Sequence, residues 1–351
     1  MTPFLSDFYN ENIANIPERL ARILEKNEAQ NINTNVAFDG INLSGQDLRD
    51  VDLQSNTMTN VDLSNADLSR ANMINANLTL ANLNKALMAS SDLTDADLFG
   101  TQLTDADLGY ADLTNADLGN ANLTNANLRY ANLENANIFG SDLTDAFLRY
   151  ADLTNANLSY AYLTYADLFG INLTNADLVN ANLTNVNLRY ADLTNAELLG
   201  SDLTNVDIRF AFLTNANLRY ADLTNAELLG SDLTSADLSG TNLADANLRV
   251  AQITNANLSY VDLTGADLFG TNLTNVELIN SHLTNANLLG SDLTNADLRF
   301  AELTNADLIS AILEETYFTC ESLKEANLIN SIDLQKVRLF DSSMNEVTTC
   351  N

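Results

Sequence analysis

The chain has no tryptophan, two prolines, two cysteines and a single histidine, and its 16 Lys and Arg stand against 47 Asp and Glu in 351 residues. Each shortage excludes something. One imidazole, His282, cannot build a multi-histidine metal site, and a Ser-His dyad would rest on that ring alone. The two cysteines, Cys320 and Cys350, lie thirty residues apart near the C-terminus. They make no disulfide framework, so a structural disulfide is not expected and a reducing compartment is the simpler inference. Scarce bases disfavour direct nucleic-acid contact, because phosphates would meet a surface of their own sign. No apolar run approaches the ~20 residues a membrane span needs. The start, Met1-Thr2-Pro3-Phe4-Leu5-Ser6-Asp7, lacks the basic and apolar regions of an export signal. The expected location is therefore the cytoplasm. Glycines sit singly, as at Gly100, Gly140 and Gly200, and form no phosphate-cradling loop.

What the chain does contain is a period of five. From Phe38 to Leu328 a hydrophobic residue falls at every fifth position, 59 times without insertion or deletion, and 51 of these are Leu. The others are Phe38, Met58, Met73, Met88, Ile138, Ile208, Ile253 and Phe318. Two residues before nearly all of them, Gln46, Asn56 and Glu321 excepted, stands a small or apolar one, as in Ala111-Asp112-Leu113-Thr114-Asn115. Side chains two apart on an extended chain share a face, so Ala and Leu point inward and the Asp or Asn between them outward. The last two residues must turn the corner, and Gly and Asn there suit positive φ. Five matches neither a helix nor a long strand, which leaves a stack of short extended segments and turns.

This A(D/N)Lxx pattern resembles the pentapeptide repeat family, in the style of its cyanobacterial members. The resemblance implies an all-β solenoid: a right-handed quadrilateral β-helix with twenty residues per coil. The residues offer no catalytic constellation, so a non-enzymatic protein without metal or cofactor is expected. Residues 36–330 form the uninterrupted helix, with an N-terminal segment 1–35 and a terminal coil and tail 331–351.

Both ends of such a stack need covering. Ile16 to Lys26 reads as a short amphipathic helix with Pro17 near its first position and Ile16, Leu20, Ile23 and Leu24 on one stripe. It is expected to cap the N-terminal end, with partner binding as the alternative. After Asn330 the register slips by one and resumes at Leu334, Leu339 and Met344. That slip is either a bulge or the start of a cap. Val337, Leu339, Phe340 and Met344 then lie near the terminal face, as a plug or a self-association surface. Gyrase-directed members of the family dimerise through this end, which implies a homodimer, although no C-terminal helix is evident here.

The formal charge is −31, of which residues 1–35 hold −2 through five acids and three bases. Fifteen coils at roughly 4.8 Å span about 70 Å. The rod thus carries one net charge per ~2.4 Å, against one per ~1.7 Å for duplex DNA. Two functions follow. One is a structural or protein-interaction scaffold, a rigid acidic rod for an unidentified protein partner. The other is a DNA mimic acting on a type II topoisomerase such as DNA gyrase, which the resemblance to quinolone-resistance members also implies. Solubility of a long rod would select for the same acids.

One column departs from the acidic pattern. Arg49, Arg129, Arg149, Arg189, Arg209 and Arg249 recur at multiples of twenty, beside Tyr110, Tyr130, Tyr150, Tyr190 and Phe210. The pairs Arg129-Tyr130, Arg149-Tyr150, Arg189-Tyr190 and Arg209-Phe210 form a candidate partner-binding stripe. Arg219 and Arg299 fall on the opposite side, and the segment from Arg189 to Asn205 recurs thirty residues later with one change, Ser235 for Asn205. Duplication with stacking along the rod is therefore an alternative origin.

Overall fold

The computed structural model describes residues 38–326 and 336–350. The helix expected within residues 16–26 lies outside the described residues. Parallel β-bridges join each outward residue to the one twenty positions later, from Asn42↔Asp62 to Asp292↔Ile312. Four pentapeptides therefore complete one coil, and successive coils stack in register.

The backbone of one pentad shows why the repeat has its composition. In Ser91–Asp95 the Ser91 N–H donates to the carbonyl of Met88 and closes the preceding turn. The N–H groups of Asp92, Leu93 and Asp95 donate to Ala71, Asp112 and Thr114 in the neighbouring coils. The remaining N–H, of Thr94, donates to the side chain of Asp92 at 3.1 Å. All five donors are thus satisfied, the fourth only because an Asx residue stands two positions before it. The fifth residue turns the corner at φ near +58°, as at Asp95. Positive φ at this second central position marks a type II turn.

The central ladder is fully buried from Phe38 to Phe318, and the small residue two before each Leu is buried with it from Val61 onward. Where that residue carries a hydroxyl, the core still holds no orphan donor. Thr101 Oγ1 donates to the carbonyl of Leu98, and Ser141 Oγ to that of Leu118, both at 2.7 Å.

The C-terminal end departs from the sequence expectation. The period continues through Leu328, yet the chain leaves the coil at Thr319 and forms a helix, α1 (Cys320–Glu325). Thr319 caps it by accepting from the Ser322 N–H, and Glu321 and Lys324 suit its two ends. The spacing of Leu is blind to this, because the Thr319 cap and the end charges suited to a helix outweigh the matches at Leu323 and Leu328. Asp297–Leu298 (β1), Tyr317–Thr319 (β2) and Arg338–Phe340 (β3) pair in parallel, and Glu346–Val347 (β4) returns antiparallel on β3.

Phe318 lies against Leu339, twenty-one residues on, so the one-residue slip is absorbed between β2 and β3. Val337 and Leu339 are half-buried against the core, and Phe340 stacks on Tyr317 at 5.9 Å. Met344 does not rejoin the ladder: it sits at φ +65° in the turn before β4, exposed. β4 covers the hydrogen-bonding edge that β3 would otherwise leave open. Arg338 fastens it through Glu346 at 2.9 and 3.0 Å, and ties β3 to β2 through the Tyr317 hydroxyl at 3.0 Å.

Cys320 and Cys350 form a disulfide. The expectation that no structural disulfide forms is overturned, and the cysteines no longer argue for a reducing compartment. The physical reason is the return of the tail: β4 runs back along β3 and delivers Cys350 to the first residue of α1. Among the described residues no helix is long and apolar enough to cross a membrane.

Two measurements check this architecture. Leu193→Asp places an unpaired carboxylate in the ladder and is expected to cost about 4 kcal/mol or more, whereas Asp192→Asn keeps the acceptor for Thr194 and should change stability by less than ~0.5 kcal/mol. Thermal melts giving equal losses would overturn the inward and outward assignment. Reduction of the disulfide, or Cys350→Ser, should remove about 3 kcal/mol from the terminal unit. Hydrogen exchange should then rise first in β3 and β4, with coils before Asp297 unchanged.

Candidate partner-binding surface

The outward position is less a free acidic surface than its composition suggests. Its Asx side chains are mostly half-buried, because each bends back to accept the N–H two residues on, as Asp142 does from Thr144 at 3.0 Å. Asn also offers its amide to the carboxylate one coil earlier: Asn127 to Asp107, Asn137 to Asp117, Asn187 to Asp167 and Asn287 to Asp267, at 2.7–2.9 Å. An Asn above an Asp thus replaces like-charge repulsion with a charge-assisted hydrogen bond. At Asp202 burial pushes the carboxyl up, but hydrogen bonds from Thr204 and Thr184 outweigh it and its pKa is lowered. One corner carries a further ladder, in which Asn155, Asn175, Asn195 and Asn215 each donate to the Asn twenty residues earlier at 3.1–3.3 Å.

The arginine and aromatic stripe occupies another corner, and the structure brings its rings together. Tyr110 stacks on Tyr130 at 4.9 Å, Tyr130 on Tyr150 at 5.3 Å, and Tyr190 on Phe210 at 5.4 Å. Between Tyr150 and Tyr190 the column holds Gly170, over which the Tyr150 ring leans so closely that a Cβ would meet it at 2.7 Å. Phe169, one residue earlier, fills the gap edge-on, 5.6 Å from Tyr150 and 5.4 Å from Tyr190. Six rings therefore run without a break over five coil steps. Reading only every twentieth residue misses Phe169, and the Phe-Gly pair is the signal that could have found it. The corner Tyr and Phe sit at φ near +60°, a conformation costly for a residue with a Cβ. Stacking offsets part of that cost.

The arginines divide into two kinds. Arg149 pairs with Asp167, Arg209 with Asp207, and Arg249 with Asp267. Arg209 is accordingly held above the usual guanidinium range by its hydrogen bonds to Asp207. At the N-terminal end Arg49 pairs with Asp47 and lowers that carboxyl to about 2. Arg129 and Arg189, by contrast, have no carboxylate partner among the described residues. Arg129 lies 4.6 Å over Phe147 and reaches only Asn127, at 3.5 Å. Arg189 lies against Phe169 and Tyr190, with its Nε buried and without a hydrogen-bond partner. Across the rod, Arg219 and Arg299 are each paired, with Asp237 and Asp297. His282 pairs through Nδ1 with Glu302 in the next coil at 2.9 Å.

With coil and surface defined, the chain can be placed. A family model for pentapeptide repeats matches it in overlapping stretches running from residue 38 to 308, well over half its length, and the chain belongs to that family. Membership carries the family's right-handed β-helix. Solved structures with similarity include HetL, a pentapeptide repeat protein involved in heterocyst differentiation regulation from the cyanobacterium Nostoc sp. strain PCC 7120. It is 28% identical over 80% of this chain and 93% of its own, with a TM-score of 0.16. The pentapeptide repeat protein alr5209 from Nostoc PCC 7120 is 34% identical over 29% and 84%, TM-score 0.26. Full-length QnrB1, a plasmid-mediated fluoroquinolone resistance protein, is 16% identical over 58% and 91%, TM-score 0.26. Membership rests on the repeats, not on these superpositions. A comparison with curated proteins found no match.

The ring ladder predicts its own stability signature. Tyr150→Ala removes a stacked contact to Tyr130 and an edge contact to Phe169, and should cost about 1–2 kcal/mol by chemical denaturation. The same change at Tyr110, at the ladder's end, should cost about half as much.

Proposed function

We propose that this protein is a non-enzymatic acidic scaffold that engages a protein partner through the corner bearing Arg129-Tyr130, Arg149-Tyr150, Arg189-Tyr190 and Arg209-Phe210. One observation carries the reading: on a chain of net charge −31, Arg129 and Arg189 lie against aromatic rings without a carboxylate of their own. A partly desolvated guanidinium beside a ring is well placed to receive a partner's carboxylate or carbonyl, and Arg and Tyr are among the residues enriched at binding hot spots. The paired Arg149 and Arg209 hold the stripe in place. Self-association through Val337, Leu339, Phe340 and Met344 is not part of the proposal, since Val337 and Leu339 pack as a plug and β4 covers the edge.

DNA mimicry toward a topoisomerase such as gyrase is the second reading, favoured by the charge alone. The internal pairing of Asp with Asn weakens it, because much of the acidic pattern serves the turns.

Quantitative affinity capture with the wild type and with Arg129→Ala/Arg189→Ala, matched for melting temperature, tests the first reading. Proteins enriched by the wild type and lost from the variant support the stripe; an identical set with both sinks it. A gyrase supercoiling assay at low and near-physiological salt tests the second. Inhibition beyond that of a charge-matched acidic protein supports mimicry, and its absence removes it.

A further inference from the structure

A second surface stands apart from the stripe. Tyr160, Tyr162 and Tyr165 lie in one coil and span one face of the rod from corner to corner, half a coil from the ring ladder. They are 52%, 56% and 61% exposed. Tyr160 touches Phe139 edge-on at 5.6 Å, but neither Tyr162 nor Tyr165 makes a ring contact. Stacking therefore does not account for Tyr162 or Tyr165 as it does for Tyr130 or Tyr150.

Both rings also break the rule of their columns. Tyr162 stands where Asp142 and Asn182 stand in the adjoining coils, and each of those accepts the N–H of a Thr two residues on at 3.0 Å. A phenol cannot make that bond. Tyr165 takes positive φ, +62°, where the columns around it carry Asp145, Asn185 and Asn205, residues suited to it. Two positions thus give up local stability without an internal return, which is the behaviour of residues kept for contact with something else.

The surroundings specify what that is. Asp142 precedes Tyr162 in register, Asp145 precedes Tyr165 by one coil, and Asp202 follows on the same face. Phenol faces flanked by carboxylates are complementary to guanidinium and ammonium groups, through cation–π contact and charge together. The strongly acidic rod steers such a partner toward it.

We infer that Tyr160, Tyr162 and Tyr165, with Asp142 and Asp145, form a docking surface for a basic, arginine-containing segment of a partner protein. This inference shares with the scaffold reading only the need for a protein partner, and uses none of the residues of the stripe.

The test measures binding of a fluorescent oligoarginine peptide to the full chain at near-physiological salt. The variant Tyr160→Asn/Tyr162→Asn/Tyr165→Asn restores the residue type of the neighbouring repeats, so its melting temperature should not fall. The expected result is affinity reduced roughly tenfold in this variant and unchanged in Arg129→Ala/Arg189→Ala. Equal affinity in wild type and variant would show that the peptide reads only the field of the rod, and would overturn the proposal. So would a change in the sedimentation of the variant alone, which would assign the three rings to contact between copies of this chain.

Discussion

The bond from a backbone N–H to the Asx side chain two residues earlier is the constraint on which the rest of the molecule depends. A coil of twenty residues that turns every five cannot satisfy its backbone by stacking alone. Stacking and the turn serve four of the five donors in each pentad, as in Ser91–Asp95, and the Asx acceptor serves the fifth. Asp or Asn at the outward position is therefore required by the turn before it is available for anything else. That requirement decides where the acids can stand, although Asn meets it as well as Asp, as Asn182 does for Thr184.

This reordering changes how the surface is read. A rod with about one net charge per 2.4 Å would be expected to act through its field. Yet several of the carboxylates are engaged twice, with their own backbone and with an Asn amide of the next coil, as in Asn127 on Asp107. Informative positions are those that break the Asx rule or the small-turn rule. The ring ladder breaks the second and is partly compensated by stacking; Tyr162 and Tyr165 break the rules without compensation. In a repeat this regular, function is best sought where the regularity is given up.

The C-terminal end shows the opposite behaviour. There the period persists in the sequence through Leu328 while the chain leaves the coil, because Thr319 caps a helix and the tail returns as β3 and β4. The plug, the covered edge and the disulfide act together on the same problem, the unpaired face of the last coil. A stacked protein whose units contact mainly their neighbours is weakest at its ends, which is why covalent closure falls there.

How much was legible in the sequence follows from the range of each interaction. The coil, its inward ladder and outward Asx residues, and the positive φ at the corners are consequences of contacts within five residues or at a strict multiple of twenty, so the sequence by itself determined them. The Arg and aromatic columns were visible for the same reason. Phe169 filling the place of Gly170 was not, since a ring can reach its neighbours from one residue off register. Nor were the division of arginines into paired and unpaired, the helix α1 and the Cys320–Cys350 bond. These depend on where side chains lean and where the tail returns, and only the tertiary structure decides that, because no period in the sequence encodes it.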